Sequence, residues 1–217
     1  MKRIIFLLLL FSIALSAQEI KFYGEAKQGG IIIGVGDNII SAQLNDKKLQ
    51  VDKKGVFVFG FDRDAVGSYK LKVIFKGKKT KTYDYALEQR QYEEQSLRLA
   101  SKYVTPPKKL LKRIRREGQI MKAARAKVGK LKDALFMDGF VYPVDSVDIR
   151  SVFGSQRILN GKPSNVHNGI DFHAVEGDSI YAITDGVVRI AGKDFFYNGN
   201  FILLDHGQGL TSVYLHM

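Results

Sequence analysis

The chain has 217 residues, 45% of them hydrophobic and 26% charged, which suits one or two domains with cores of their own and excludes a mostly disordered chain. It contains no cysteine, so disulfide scaffolds, Cys-ligated zinc fingers, iron–sulfur clusters, thiol nucleophiles and cysteine-anchored lipoproteins are excluded, and any metal must be held by His, Asp, Glu or Asn. A net charge of +12 points to an anionic partner, and all four histidines (167, 173, 206 and 216) lie in the last quarter of the chain.

Met1-Lys2-Arg3 supplies a positive start, Ile4 to Leu15 is apolar apart from Ser12, and Ala14-Leu15-Ser16-Ala17 offers small residues for cleavage. The apolar run is shorter than the roughly 20 residues that span a bilayer, which argues against an uncleaved anchor. Residues 1–17 are therefore expected to be a signal peptide. The mature protein is expected outside the cytoplasm, in the periplasm or cell envelope, with no nucleic-acid partner despite the charge.

Residues 18–88 read as short strands. Ile31-Ile32-Ile33, Ile39-Ile40 and Val56-Phe57-Val58-Phe59 are separated by turn signals such as Asp37-Asn38 and Lys53-Lys54-Gly55. Tyr69, Leu71, Val73 and Phe75 alternate with Lys70, Lys72 and Ile74, the period of a strand with one buried face, and Lys76-Gly77-Lys78-Lys79 turns into a partner near Thr80 to Tyr85. Six or so strands predict a small antiparallel sandwich of immunoglobulin-like type. Gly34-Val35-Gly36 invites a dinucleotide reading, but position 39 is Ile and no βαβ pattern surrounds it.

Residues 89–137 change to a helical pattern, a basic linker. Thr105 is the expected N-cap, with Pro106 and Pro107 in the first turn. Leu110, Ile114, Met121, Ala124, Val128, Leu131 and Leu135 form one stripe that only Glu117 interrupts, and Gly118 and Gly129 predict a kink or break. Residues 102–132 hold twelve basic residues against Glu117 alone, nearly the whole net charge of the chain. Such a helix is expected to pack its apolar stripe between domains, and its charge suits docking on an anionic envelope surface.

Residues 138–217 return to strands and turns. His167-Asn168-Gly169-Ile170-Asp171 sets an imidazole and a carboxylate four residues apart. On a straight strand they would lie about 13 Å apart, so sharing an ion requires a bend, which Gly169 permits. Tyr214-Leu215-His216 is expected to place a phenol and an imidazole on one face of a strand, where the imidazole can serve as general base or oxyanion partner. There is no His-Glu-x-x-His and no Gly-x-Ser-x-Gly, which excludes a thermolysin-type helix site and a hydrolase nucleophile elbow.

Taken together, Phe153-Gly154-Ser155-Gln156-Arg157, Asn160-Gly161, His167-x-Gly169-x-Asp171, Asp185-Gly186-Val187-Val188, Asp205-His206-Gly207-x-Gly209 and Tyr214-x-His216 resemble the lysostaphin/LytM-like zinc metallopeptidases in order and spacing. The resemblance implies a mainly β architecture: the immunoglobulin-like sandwich, the basic helical linker, then a LytM-like antiparallel β domain with a groove over 138–217. It implies an exported metalloendopeptidase in which Zn2+ activates water against peptidoglycan peptide stems or cross-bridges. His167 and Asp171 would be two of three zinc ligands, and His216 a catalytic histidine that positions the water or stabilises the tetrahedral intermediate. Phe153-Gly154 with Arg157 and Asn160-Gly161 would shape the groove, Asn160 being weighed as a transient fourth ligand. His206 is read as structural and His173 as a surface residue.

The family continues past Tyr-x-His to a His-x-His element that gives the third ligand and another catalytic histidine, whereas this sequence stops at Met217. With every earlier motif intact, the expectation is an incomplete sequence whose 217 residues are inactive by themselves. The alternative from another class is a non-catalytic envelope module that binds peptidoglycan or regulates a separate hydrolase.

Overall fold

The computed structural model describes residues 19–217, so the signal peptide expected over 1–17 lies outside the described residues. The fold is mainly β, with several antiparallel sheets and one long helix. The first seven strands are β1 (Ile20–Gly24), β2 (Ile31–Gly36), β3 (Ile39–Leu44), β4 (Lys47–Leu49), β5 (Val56–Gly60), β6 (Ser68–Phe75) and β7 (Thr80–Ala86). They form two antiparallel sheets, ordered β1-β2-β5 and β4-β3-β6-β7. An immunoglobulin constant-type sandwich pairs its strands 1-2-5-4 and 3-6-7, so the order here is the same with the fourth strand moved to the other sheet.

Ile20, Ile32, Phe57 and Phe59 from one sheet pack on Ala42, Leu44, Leu71, Val73 and Phe75 from the other. The alternation expected in β6 holds: Leu71, Val73 and Phe75 are fully buried while Lys70 and Lys72 face water. Burying each such side chain is worth about 1.5–3 kcal/mol. The glycines of Gly34-Val35-Gly36 serve this packing rather than a nucleotide. A Cβ on Gly34 would lie 2.2 Å from the Phe57 ring.

The helix expected over 89–137 is shorter. The chain first forms β8 (Glu94–Leu97), then one turn, α1 (Ser101–Val104), then a 3₁₀ turn (Lys108–Leu110) that runs into α2 (Leu111–Arg125). Thr105 is not the N-cap, because the two prolines hold the chain extended after it and the helix starts without a side-chain cap. Gly118 lies within α2, and the helix ends before Gly129, whose φ of 81° suits no continuing helix. Leu131 and Leu135 therefore fall outside it. Glu117, which seemed to interrupt the stripe, is buried. It pairs with Arg113 at 2.6 Å and accepts the Phe196 N–H at 2.9 Å, and Arg113 also pairs with Asp194. Of the twelve basic residues in 102–132, all but Arg113 are exposed, and among the described residues none of those exposed ones makes an ion pair.

The remaining strands are β9 (Ile149–Ser151), β10 (Gln156–Leu159), β11 (Lys162–Pro163), β12 (Asp171–Phe172), β13 (Val187–Phe195), β14 (Gly199–Gly207) and β15 (Leu210–Tyr214). They make an antiparallel β13-β14-β15 sheet, a β12-β9 pair and a sheet ordered β11-β10-β8, in which β8 runs parallel to β10. Among the described residues no helix is long and apolar enough to cross a membrane.

The segment 126–140 fastens this half to the sandwich. Gln50 donates to the Gly129 carbonyl at 2.6 Å, Gln208 N–H to Leu131 at 2.7 Å and Leu135 N–H to His206 at 2.9 Å. Phe136, 1% exposed, fills a small cluster with Ile33 and Val56. Gly207 passes so close that a Cβ would lie 1.8 Å from the Asp133 carbonyl oxygen. Phe136→Ala is expected to destabilise the protein by about 3–5 kcal/mol. Phe140→Ala, at a ring 45% exposed and stacked on Phe136, should cost under about 1 kcal/mol, both read from denaturant midpoints.

Candidate functional site

His167 and Asp171 are brought together. The chain between them bends at Gly169, where a Cβ would come within 3.8 Å of His167 Nε2. His167 Nε2 lies 3.1 Å from Asp171 Oδ1. Two ligands of one tetrahedral zinc stand about 3.3 Å apart, given bonds near 2.0–2.2 Å, so the pair is spaced to share such an ion.

The Phe153–Arg157 run holds both His167 and Asp171. Gly154 N–H donates to the His167 carbonyl at 2.7 Å, and His167 N–H donates to Ser155 at 2.9 Å. Arg157 Nη2 donates to Asp171 Oδ2 at 2.8 Å, which leaves Oδ1 facing the imidazole. The run is itself pinned to the sandwich side. Arg63 donates to the Gly154 carbonyl at 2.7 Å and lies over the Tyr92 ring at 4.1 Å, and a Cβ on Gly154, at φ 91°, would lie 2.1 Å from that ring.

The imidazole of His167 is 8% exposed, and its Nδ1 lies 3.1 Å from the Val152 carbonyl and 2.9 Å from Ser151 Oγ. The Val152 carbonyl only accepts, so an Nδ1–H suits that side of the ring. Asp171 Oδ1 also only accepts, so a proton on Nε2 or, with Nε2 deprotonated, a metal ion between the two would satisfy the other side. A ring nitrogen tied back to a carbonyl while the other meets the ion is the usual arrangement of a metal-bound histidine. These two side chains fit zinc. Among the described residues no group of three or more His, Asp or Glu side chains is placed to hold one.

Among the described residues no hydrogen bond or ion pair joins His216 to this pair. It was expected on the strand face of Tyr214, but β15 ends at Tyr214 and His216 has a φ of 60°, so the alternation is broken. Its backbone N–H donates to Asn198 at 2.9 Å, and its side chain makes no hydrogen bond among the described residues. The Tyr214 hydroxyl turns inward, accepting from Ile183 N–H at 2.7 Å and from Ser212 at 3.1 Å. His216 lines an open groove of about 1350 Å³ together with Arg157, Ser164, Asn165, Tyr197 and Gly199. Arg157 keeps a buried Nε–H with no partner among the described residues.

The other candidates have different duties. Asn160 is tied up by the linker, donating to the Leu99 carbonyl and accepting the Leu99 N–H, both at 2.9 Å, so its amide is not free for a metal. His206 is wholly buried, with Nδ1 at 2.7 Å from the Asp185 carbonyl and Nε2 at 2.8 Å from Ser212 Oγ. Gly186 leaves it room, since a Cβ there would lie 2.7 Å from Nδ1. His173 is exposed. Sequence reading missed Ser151 and Gln95, a buried serine against His167 and a glutamine of β8 whose Oε1 accepts its hydroxyl at 3.0 Å. No motif marks either one.

Comparison with known proteins bears on the same region. Residues 165–217 match the sequence model of Peptidase family M23. The chain is 37% identical over 78 residues to the peptidoglycan DD-endopeptidase ShyA of Vibrio cholerae, covering 35% of this chain and 18% of that protein. It is 35% identical over 52 residues to the DD-carboxypeptidase/endopeptidase Mpg of Neisseria meningitidis, covering 24% of this chain and 12% of that protein, and equally to Mpg of Neisseria gonorrhoeae. The chain thus spans less than a fifth of the length of these relatives.

The two buried and exposed histidines separate in a stability measurement. His206→Ala strips partners from buried polar groups and opens a cavity, so it should cost about 2–5 kcal/mol. His216→Ala, which removes no hydrogen bond, should stay within about 0.5 kcal/mol in the same denaturant titration.

Proposed function

We propose that this chain, whose residues 165–217 belong to peptidase family M23, is part of an exported zinc metalloendopeptidase that cuts peptide bonds in peptidoglycan stems or cross-bridges. The reading takes 18–88 as a sandwich domain, 89–137 as a basic linker and 138–217 as the LytM-like domain, delivered to the cell envelope by residues 1–17. The observation that carries it is the 3.1 Å approach of His167 Nε2 to Asp171 Oδ1, with the outer nitrogen and the outer oxygen each held by another group.

His167 and Asp171 would hold the metal. A zinc ion there supplies Lewis-acid activation of water and of a scissile carbonyl at neutral pH. Arg157 orients the Asp171 carboxylate, taking Oδ2 and leaving Oδ1 for the ion. His216, on the groove wall and free of other bonds, would orient the attacking water or stabilise the developing oxyanion. The exposed cations of α2 and its flanks would dock the protein on an anionic envelope surface, with binding that weakens as salt rises.

The test uses the protein expressed from its complete reading frame, with bound zinc and release of soluble muropeptides from purified sacculi measured together. His167→Ala and Asp171→Ala are expected to lose both. His216→Ala should keep its zinc and lose about 10²–10⁴-fold in turnover. Zinc loss in His216→Ala would make it a ligand instead. Wild-type hydrolysis in all three variants would replace the enzyme with the non-catalytic binding module.

A further inference from the structure

Glu117 is 7% exposed in a helix where every other charged residue except Arg113 is exposed. A carboxylate taken out of water is retained only where it is paired and hydrogen-bonded. Both of its oxygens are used. Oε1 accepts from Arg113 Nε at 2.6 Å, and Oε2 accepts the Phe196 N–H at 2.9 Å. Arg113 in turn bonds the Asp194 carbonyl and lies 3.1 Å from Asp194 Oδ2. One turn of α2 thus grips residues 194 and 196, where β13 passes into β14. The far side of the same hairpin tip holds His216. The Asn198 carbonyl accepts the His216 N–H at 2.9 Å, and the Asn200 carbonyl accepts the Met217 N–H at 3.1 Å. A Cβ on Gly199 would lie 3.4 Å from His216 Cα and 3.6 Å from its Nδ1, so the tip passes against both backbone and ring.

β15 ends at Tyr214, so the bonds to Asn198 and Asn200 place His216 where the regular ladder no longer does. With no side-chain hydrogen bond among the described residues to aim it, the ring takes its direction from the hairpin tip, and the tip is held by α2. An apolar side chain at 117 would leave both the Phe196 N–H and the Arg113 guanidinium without their acceptor. We propose that Glu117 is a positioning residue that fixes His216 on the groove wall through the backbone of Phe196 to Asn198. This rests on the role given to His216 above.

The test is a double-mutant cycle in the protein expressed from its complete reading frame, assayed by muropeptide release from purified sacculi. Glu117→Ala keeps the helical propensity of α2. It is expected to lower kcat about 10–100-fold, with apparent KM and bound zinc near wild type. In the His216→Ala background the same change should lower kcat no further, because the residue it positions is gone. A merely structural role lowers kcat by the same factor in both backgrounds. Glu117→Gln, which keeps an acceptor for the Phe196 N–H, should recover most of the loss. Ala124→Gly, about two turns further along α2, should lower stability without lowering kcat. Hydrogen exchange at the His216 amide should speed up in Glu117→Ala and stay as in wild type in the other two single variants of α2. Additive losses in the cycle, or a His216 amide in Glu117→Ala that exchanges as in wild type, overturn the proposal. Wild-type hydrolysis in His216→Ala alone removes the catalytic reading instead, and the amide exchange then decides whether Glu117 places His216.

Discussion

An imidazole nitrogen and a carboxylate oxygen stand 3.1 Å apart, a spacing that a shared proton or a shared metal ion satisfies. The surroundings of the pair serve that one constraint. Backbone bonds from Gly154 and Ser155 fix where His167 starts, the bend at Gly169 returns the chain, and the pairing of β12 with β9 fixes where Asp171 ends. Arg157 then takes one carboxylate oxygen and leaves the other turned inward.

The two halves of the molecule are joined through polar groups that each satisfy a specific partner, rather than through one apolar face. Gln50 and Gln208 each reach a backbone group far away in sequence, and Arg63 reaches the carbonyl of Gly154, whose N–H bonds the His167 carbonyl. Phe136 adds the one deeply buried ring of this seam. Buried hydrogen bonds of this kind give less energy than apolar burial but permit fewer relative placements, since a shift leaves donors and acceptors unpaired. The position of the Phe153–Arg157 run is thereby tied to the sandwich.

Much of this was legible in the sequence because it obeys simple periods. The alternation in β6 and the apolar runs of β2 and β5 give the sandwich, and the spacing of His167, Gly169 and Asp171 gives the pair with its hinge. What escaped has physical reasons. Glu117 in an apolar stripe looks like an error until a distant N–H, that of Phe196, arrives to use it. β8 has no apolar alternation of its own, because its order comes from a parallel partner distant in sequence, with Leu99 and Asn160 bonded just past the ends of the two strands. His216 follows the period of a strand on paper, but its φ of 60° takes it off that face, and a single backbone dihedral leaves no trace in composition.

The parallel pairing of β8 with β10 also sets an order of assembly. The hairpins β6–β7 and β13–β14–β15 close between neighbouring segments, whereas β8 meets β10 only after a loop of tens of residues has been closed, the slow kind of contact in folding. The strand beside Arg157 is therefore expected to be the last piece of sheet to form. A newly made chain would hold its hairpins early and complete the surroundings of His167 and Asp171 only at the end, so that a partly folded molecule lacks the finished His167–Asp171 pair.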